Sequence, residues 1–431
     1  MRFKKFFLLL ITIVALFISC DIFPNKDEFG CIDQSDQIYE FLSVDASSQL
    51  SSEERKNVES INNFAFNSSI KINASTINDS FVYSPMSMAL LLGMIAEGSK
   101  GETRDEILSA LNLNGQDQDS INEFSRNLLC LSTAASSDEE IFEIANCAVV
   151  DKSIKVSNEY KKIAKNYYDA EIVSKDFIHD NIVLYINTWA YLKTHKRINS
   201  IISNIDSSTK AVFLNALYFK ATWLDSFSLQ SSYSESFTKT DGTIIQEIMM
   251  HRLGDISYYE SSDFTMVNLP YGHHDNLKEQ SSNYSMSLVL PHQSLDINGL
   301  LGKLSESSLS SLLSKLTKHN VKLTVPRFDI YSDLNYTSML KSLGIRHLFN
   351  EADLSSMADD HIQIEHIKQV ANISIDEQGT EAAAVSFTDI STDPEDTIEP
   401  PKYLEFTCNR PFIFIITERK TNAILFIGAI K

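Results

Sequence analysis

Three groups of side chains in this sequence are of types that could act in catalysis or bind a metal ion or a phosphate. They are the run His273, His274 and Asp275, the pair His361 and His366 beside Glu365, and the Gly- and Lys-containing residues 93–100. The last group has Ser and Lys reversed relative to a phosphate loop, and it follows an apolar helical run instead of a strand. The histidines suit a polar loop tip and structural positions, and no HExxH or Gly-x-Ser-x-Gly motif occurs. The sequence therefore predicts no enzyme, no metal site and no cofactor.

The segment from Gly379 to Thr392 has the pattern of a strand that can enter a sheet. Thr380 and every second residue after it are uncharged and nearly all small, whereas Glu381 belongs to the other set. A period of two with one uncharged face is what a strand needs if that face enters a packed interior. The composition, with Gly379 followed closely by three alanines, is poor for a permanent strand. We therefore predict a segment that can join a sheet without being obliged to stay there.

This segment resembles the reactive-loop hinge of serpins in its inhibitory form. The resemblance places the hinge at Glu377, Gly379, Thr380, Glu381, Ala382, Ala383 and Ala384. Other stretches that resemble the family occur in family order, at residues 78–113, 214–223, 343–345, 353–355, 410–414 and 424–428. Together they cover roughly residues 55 to 431, and on these motifs the chain is identified as a member of the serpin family.

The resemblance implies an α+β fold with three β-sheets, about eight to nine helices and an exposed reactive-centre loop at about residues 377–401. The sequence alone also favours α+β, because strand-like runs are mixed irregularly with helical ones. Helices are predicted at 86–96, 160–168, 180–194, 299–316 and 334–343, and strands at 142–150, 211–221, 265–269, 285–290, 321–328 and 412–417. With only 13 Gly and 9 Pro, no linker interrupts the body, so we expect one domain over residues 53–431.

By the family's spacing, the bond that a protease would cleave falls near Asp393-Pro394, with Thr392 and Ile390 as further candidates. Most proteases resist a Pro directly after the bond, and the segment up to residue 410 is longer than usual in the family. The cleaved bond therefore stays open over residues 388–397. No Lys or Arg occurs between residues 379 and 401, which favours elastase-like or papain-like targets over trypsin-like ones. An Asp-preferring protease is a further option.

A second group of residues is implied by the resemblance to lie at and beneath the centre of the main sheet. It comprises Ser84, Ser87, Asn215 and Gln369, with Trp223 at the upper, breach end of the sheet. Ser84 also suits a helix cap, because Pro follows it at the first helical position. Many serpins have a His where this chain has Gln369. We expect its amide to bond Ser84 or Asn215 and to alter the pH response of this region.

The first nineteen residues have the pattern of a secretory signal peptide. Basic residues precede an apolar run at 6–18, which is too short to span a membrane and is closed by Ser19-Cys20. A Cys directly after the cleavage site is the bacterial lipoprotein pattern, so Cys20 is predicted to carry the lipid and residues 20–52 to form a flexible tether of roughly 30 Å. The protein would be an outer-membrane or cell-surface lipoprotein, and plain secretion to the extracellular space is the alternative. Lys26-Asp27-Glu28 resembles a surface-export signal.

The composition excludes some partners. The chain has 37 Lys and Arg against 57 Asp and Glu, a formal net charge of −20. Nucleic-acid binding is disfavoured because phosphate contacts need basic patches. We expect a monomer that binds serine or cysteine proteases and contacts the membrane through its lipid. The cysteines include no CxxC pair, and disulfides among Cys31, Cys130, Cys147 and Cys408 stay open.

Overall fold

The computed structural model describes residues 49–134, 140–274, 282–359, 362, 364, 367–380 and 403–431, all within one compact unit. The nine α-helices among these residues are α1 (Ser52–Ser75), α2 (Pro85–Gly98), α3 (Gly101–Ala110), α4 (Gln118–Thr133), α5 (Asn158–Tyr168), α6 (Ile182–Lys193), α7 (Ile297–Ser305), α8 (Leu309–Ser314) and α9 (Thr337–Ser342). Over these same ranges, none of the helices is long and apolar enough to span a membrane.

Fifteen β-strands accompany the helices in the described ranges. They are β1 (Phe81–Tyr83), β2 (Glu140–Asp151), β3 (Ala170–Lys175), β4 (Ala211–Thr222), β5 (Ser232–Thr238), β6 (Ile244–Glu260), β7 (Phe264–Pro270), β8 (Tyr284–Pro291), β9 (Thr317–Pro326), β10 (Phe328–Asn335), β11 (Lys368–Ile375), β12 (Gly379–Thr380), β13 (Leu404–Thr407), β14 (Phe412–Glu418) and β15 (Ile424–Ile430). This mixture of helices and largely antiparallel strands is the α+β class expected from the sequence.

Hydrogen bonding joins the strands into a six-stranded and a nine-stranded sheet. The six-stranded sheet has the order β10-β11-β12-β4-β2-β3. The other has the order β1-β15-β14-β8-β7-β6-β9-β13, with β5 also paired to β6. Strand β6 pairs with β5 over its first half, with β9 over its middle and with β7 at its end. Two of the three expected sheets therefore share this long strand and are continuous in their hydrogen bonding.

Helix α2 lies between the two sheets, where it contacts both β4 and β15. All fourteen of its residues are buried, as its almost uniformly apolar sequence predicts. Ser84 caps the helix by accepting a hydrogen bond from the Ser87 amide at 3.4 Å, and Pro85 occupies the first helical position. At the other end, a Cβ on Gly98 would lie 3.0 Å from the Cβ of Met357, so close packing also favours glycine there.

Most of the predicted elements are confirmed, and the exceptions have local causes. The predicted helix 299–316 is wrong in part, because the hydroxyl of Ser308 accepts a bond from the Ser311 amide at 3.1 Å and starts a separate helix, α8. The predicted helix 334–343 begins too early. Strand β10 continues to Asn335, which pairs with Lys368 of β11, so helix α9 starts only at Thr337.

The cysteines that the structure describes are Cys130, Cys147 and Cys408; all three are buried, and Cys147 and Cys408 are free thiols. Burial raises the pKa of Cys147 well above its ordinary value, and it raises the pKa of Cys408 as well. These thiols are therefore protonated and packed like small apolar side chains. Cys31, the fourth residue considered for a disulfide, lies outside the described residues.

Candidate functional site

The short strand β12 lies between β4 and β11 and pairs with both. Gly379 and Thr380 pair with Thr222 and Ala221 of β4, and Thr380 also pairs with Ile375 of β11. Both ladders are antiparallel, so β4 and β11 run parallel to each other. The side chain of Thr380 is fully buried. Thr380, the first residue of the alternating set identified in the sequence, therefore occupies an interior position.

Gly379 occupies a position that admits no side chain. Its φ of +149° lies in a region that L-residues rarely adopt. A Cβ at this position would lie 2.1 Å from the carbonyl oxygen of Ala221 and 2.7 Å from the Cα of Thr222. Both obstacles are backbone atoms, which cannot move away as the end of a flexible side chain could. Glycine is therefore required for β12 to approach β4.

A tight turn connects β11 to β12. The Asp376 carboxylate accepts hydrogen bonds from the amides of Gln378 at 2.8 Å and Gly379 at 3.2 Å. The Asp376 amide donates to the Gly379 carbonyl oxygen at 3.0 Å. An aspartate that bonds the amides following it is a common way to stabilise a reversal of the chain. The turn therefore directs the chain from β11 back along the same sheet into β12.

Glu377 in this turn forms a buried ion pair with Arg327, the residue that follows β9. The guanidinium donates from Nε to both carboxylate oxygens at 2.9 Å and from a terminal nitrogen to Oε1 at 2.6 Å. The Glu377 side chain is 2% exposed and that of Arg327 is 41% exposed. Burial by itself would raise the pKa of Glu377, but hydrogen bonds from Arg327, from Ser232 and from the Glu377 backbone amide, together with the charge of Arg327, hold this pKa below its ordinary value. The hinge therefore carries a carboxylate that depends on Arg327.

Trp223 and Tyr271 form an aromatic platform beneath the hinge. Their rings stack with centroids 4.4 Å apart and an angle of 10° between planes. The indole Nε1 of Trp223 donates to the Asp376 carbonyl oxygen at 2.9 Å, and the backbone amide of Trp223 donates to the Gln378 carbonyl oxygen at 2.8 Å. The Tyr271 hydroxyl lies 2.8 Å from the hydroxyl of Thr380. The platform therefore contacts both the turn and β12.

The centre of the six-stranded sheet contains a network of neutral amides. The Gln369 side-chain oxygen accepts from the Ser84 amide at 2.8 Å, and its nitrogen lies 3.1 Å from both the Ser84 carbonyl oxygen and Asn215 Oδ1. Asn215 donates to Asn146 at 2.9 Å, and Asn146 donates to the Tyr168 carbonyl oxygen at 3.1 Å. The side-chain amide of Gln369 therefore bonds both residues that were expected as alternatives. It bonds the backbone of Ser84 and the side chain of Asn215.

Ser87 lies beside this network, but its hydroxyl makes no bond in the described part of the chain. The side chain of Ser87 is fully buried, and its oxygen has no hydrogen-bond partner there. A buried hydroxyl without a partner has lost its hydration and gained nothing in return. Ser87 therefore provides small volume beneath the sheet rather than a bond.

The strap, defined as residues 194–202 after helix α6, crosses the outer surface of the six-stranded sheet. At one end, Nε2 of His195 lies 2.8 Å from Oε2 of Glu143 in β2. The His195 ring also packs on the Tyr218 ring of β4, with ring centres 4.1 Å apart. At the other end the carbonyl oxygen of Ile201 accepts from Lys368 of β11 at 3.2 Å. A small second core that includes Ile198 lies between the strap, α6 and this sheet. The strap therefore contacts strands on both sides of β12.

A model of the serpin family, described as Serpin (serine protease inhibitor), matches residues 59–431. This chain belongs to the serpin family. The fold and the position of the hinge agree with that membership, and serpins generally bind target proteases rather than catalyse a reaction of their own.

The proteins that this serpin resembles include one named as a serine protease inhibitor and one named as a thyroxine-binding globulin. It is 29% identical over 379 residues to an uncharacterized serpin-like protein of Thermococcus kodakarensis, covering 87% of this chain and 85% of that protein. It is 30% identical over 363 residues to a serine protease inhibitor of Cyanea capillata, covering 81% of this chain and 91% of that protein. The crystal structure of human thyroxine-binding globulin, solved in complex with thyroxine, matches with a TM-score of 0.77 at 26% identity, covering 87% of this chain and 98% of that one.

Several residues predicted from the sequence lie outside the described part of this serpin. They are the hinge residues Glu381, Ala382, Ala383 and Ala384, the cleavage candidates Ile390, Thr392, Asp393 and Pro394, the lipid site Cys20, and Glu365 with His361 and His366. His274 is described, and its ring bonds Asp225 at 2.8 Å on an exposed surface. Within the described ranges, no cluster of His, Cys, Asp and Glu could hold a metal ion.

The sequence did not reveal the partners that hold the serpin hinge. Arg327 and Tyr271 are far from Glu377 in the sequence, and neither belongs to a recognisable motif. One sequence feature could have drawn attention to Arg327. It is a single charged residue directly after an apolar strand, where the chain leaves the buried core. Between β4 and β11, the described residues include the two paired residues of β12 at one place and the hydrogen bond from Gln369 to Asn215 at another, so the arrangement offers backbone pairing on both sides of β12.

Proposed function

We propose that this serpin inhibits serine proteases, and also papain-like cysteine proteases, by trapping them as acyl-enzymes through insertion of its loop between β4 and β11. The observation that carries the proposal is the burial of Thr380, paired with strands on both sides. The alternating set of uncharged residues continues from Thr380 along the loop. Every later member of that set would enter the same interior face if β12 became longer.

The nucleophile in this reaction belongs to the protease. It attacks the carbonyl carbon of the loop's peptide bond, the amine of the following residue leaves, and an ester or thioester joins the protease to the new C-terminus. Strand addition into a central sheet is the mode known for serpin loops. The part of the loop that precedes the cleaved bond would then extend β12 and carry the protease along the sheet before water hydrolyses the ester.

The dimensions and energies are sufficient for such a movement. A strand from Gly379 to Asp393 would measure about 45–50 Å at ~3.3 Å per residue. Each new ladder hydrogen bond contributes about 1 kcal/mol net, so a dozen bonds give on the order of ten kcal/mol. The alanines at 382–384 add no charge and little volume that could slow entry.

The target class follows from the loop sequence. No Lys or Arg lies between residues 379 and 401, so the loop lacks the side chain that trypsin-like proteases require. Phe387, Ile390 and Thr392 suit elastase-like and papain-like proteases. We propose that the protein acts as a monomer, anchored through Cys20 on the outer membrane or cell surface, where it would protect the bacterium from such enzymes.

A pair of charge substitutions at neighbouring positions tests the insertion step. Because Thr380 faces the interior, Ala382 should face it too, and Ala383 should face outward. With an elastase-like protease, we expect Ala382→Arg to convert the protein into a substrate that is cleaved without forming an SDS-stable complex. Ala383→Arg, the matched control, should still form the complex. Equal complex formation by both variants, or none by the wild type across a panel of serine and cysteine proteases, would contradict the proposal.

A second candidate function is ligand binding without inhibition. The observation that favours it is a cleft of about 530 Å³ whose lining includes Asn73, His292, Arg410 and Lys431. Burial lowers the pKa of Lys431 to about 8. The lining has three basic side chains, Lys239, Arg410 and Lys431, against one acidic side chain, Asp296, which suits a small amphipathic anion. Thermal unfolding before and after cleavage of the loop separates the two functions: a large rise in melting temperature indicates insertion, and an unchanged value favours the binding function.

A further inference from the structure

Strands β5, β6, β9 and β13 lie side by side, and one face of this part of the nine-stranded sheet is exposed. Leu253 of β6 pairs with Lys322 of β9, which pairs with Glu405 of β13. Residues that are directly opposite share a face, and so do alternate residues along a strand. The neighbouring β9 residues Leu323 and Val321 point to the other, buried face. The outer face of the four strands therefore carries its own set of side chains.

Three large side chains on this outer face are exposed to solvent. Tyr233 is 53% exposed, Leu253 55% and Tyr403 39%. Single exposed apolar residues are ordinary, but a group of them within one small area indicates an interaction site. We define the outer patch as Tyr233, His251, Leu253, Lys322 and Tyr403.

The aromatic side chains of the outer patch are held in place by contacts within it. The Tyr233 ring packs on the His251 ring, with ring centres 4.3 Å apart. Nδ1 of His251 lies 3.3 Å from the hydroxyl of Thr324. The ammonium of Lys322 lies 6.0 Å from the centre of the Tyr403 ring. Tyrosine is enriched where proteins bind each other, and side chains fixed before binding lose less entropy.

Strand β9 anchors both ends of the loop, and the outer patch lies between these anchors. Arg327, which follows β9, binds Glu377 before the loop. Leu404, which follows the loop, pairs with Val321 of β9. Arg327 lies six positions after Val321, about 20 Å along an extended chain. Because both anchors lie within this length, we infer that a protein bound to the loop would lie near β9.

We propose that the outer patch is a second contact surface for the protease, separate from the loop residues that enter its active site. The inference rests on the proposed inhibitory function. The partner would present an apolar surface beside its active-site cleft, against which Tyr233, Leu253 and Tyr403 pack. A second copy of this chain is the weaker occupant, because two molecules of net charge −20 repel each other.

The test measures docking without the covalent step. The probe is an elastase-like serine protease whose nucleophilic serine is replaced by alanine, and its Kd is measured for the wild type, for the double variant Tyr233→Ser/Leu253→Ser and for Tyr403→Ser. We expect the double variant to weaken binding about tenfold or more, because residues central to an interface each contribute over about 1 kcal/mol. With the active protease, the association rate should fall to the same degree while the stoichiometry of inhibition stays unchanged.

Matched controls come from exposed isoleucines elsewhere, Ile77 at 68% and Ile178 at 82% exposure. Ile77→Ser and Ile178→Ser should leave Kd and rate unchanged, and the melting temperatures of all variants should equal that of the wild type. Suppose that the active wild type forms complexes but the patch variants associate as fast as the controls. The proposal that the outer patch contacts the protease is then wrong, and the proposed inhibitory function stands. If the wild type traps no protease of the panel, both proposals fail together.

Discussion

Two regions of the six-stranded sheet, the hinge and the centre, are held by different chemistry. At the hinge, a buried ion pair, a glycine with positive φ and an aromatic stack fix residues 376–380. At the centre of the sheet, Gln369, Asn215 and Asn146 exchange only neutral hydrogen bonds with each other and with backbone atoms. Both regions are buried, but only the hinge includes a charge.

This difference determines how each region can open. A buried ion pair is costly to break by removing one partner, because the remaining charge stays in a poorly solvated site. A network of amides can exchange one neutral partner for another, and each bond contributes only about 1 kcal/mol. In the proposed insertion, the hinge would therefore fix where the new strand begins, and the centre would separate as that strand passes through it.

The largest effect is expected from Arg327→Met at the hinge. The substitution leaves the buried Glu377 carboxylate without its partner, which should destabilise the hinge by about 2–4 kcal/mol, less than for a fully buried pair because Arg327 is 41% exposed. Hydrogen exchange of the amides at 376–380, together with urea unfolding, measures the loss. The double variant Arg327→Met/Glu377→Gln is the control and should recover most of it, because no buried charge remains. Equal destabilisation of the single and double variants would show that the ion pair is not the cause.

The same ion pair predicts a pH dependence. The pKa of Glu377 is lower in the folded protein than in the unfolded chain. Its contribution to stability is therefore complete above the ordinary glutamate pKa of about 4.3 and is lost as the pH falls through the folded value. Urea midpoints of the wild type should decrease over this acidic range, and the double variant should show a smaller decrease. Parallel curves for the two proteins would exclude Glu377 as a source of acid sensitivity.

A smaller effect is expected from Gly379→Ala. The new Cβ would meet the backbone of β4, and alanine does not adopt the required φ at low cost, so the hinge should lose about 1–3 kcal/mol. We expect Thr380 to leave the sheet, which limited proteolysis of the loop would detect as faster cleavage. Gly254→Ala is the control, since no atom lies within 4 Å of a Cβ there. Unchanged proteolysis of the hinge variant would mean that β12 tolerates a side chain.

At the centre, Gln369→His should cost about 1 kcal/mol at neutral pH. A neutral imidazole has one donor and one acceptor, so it cannot replace all three bonds of the amide. Burial would lower the pKa of this histidine, so the variant should lose further stability as the pH falls below about 6.5. Gln369 itself does not titrate, and the wild type should lack this step. Superimposable pH profiles between pH 5 and 8 would contradict the assignment.

The smallest effect, with the opposite sign, is expected from Ser87→Ala. The Ser87 hydroxyl is buried without a partner in the described residues, so removing it should leave stability unchanged or raise it by up to about 1 kcal/mol. Ser84→Ala, which removes the helix cap, should instead cost about 1 kcal/mol. Urea midpoints of the two variants measure the difference. A loss on Ser87→Ala as large as that on Ser84→Ala would show that the hydroxyl has a function in the network.

The sequence indicated a strand from Gly379 and a contact of Gln369 with Ser84 or Asn215, because both depend on local patterns or motifs; the function of these residues in a reactive loop stays a prediction. The alternation after Gly379 identified the face that Thr380 turns inward. The contacts that hold β12 in the sheet could not be predicted in the same way. They involve Arg327, fifty residues before Glu377, and Tyr271, which follows β7 of the other sheet and whose hydroxyl bonds that of Thr380.

The strap was missed for a similar reason. His195 and Lys196 both have positive φ, yet neither is glycine, so the sequence gives no sign of the reversal there. The contacts that fix this reversal come from Glu143 and Tyr218 on two other strands. Propensity describes what a segment prefers alone, and tertiary contacts can override that preference.

The buried position of Thr380, paired with a strand on each side, has a consequence for rates. Bringing the end of a flexible segment to one site costs entropy that later contacts must offset. In this protein that cost is offset during folding, because Thr380 is already in register with Ala221 and Ile375. In the proposed mechanism, growth of the strand after cleavage would therefore need only propagation from an existing nucleus, and its rate would be governed by how quickly β4 and β11 separate rather than by a search.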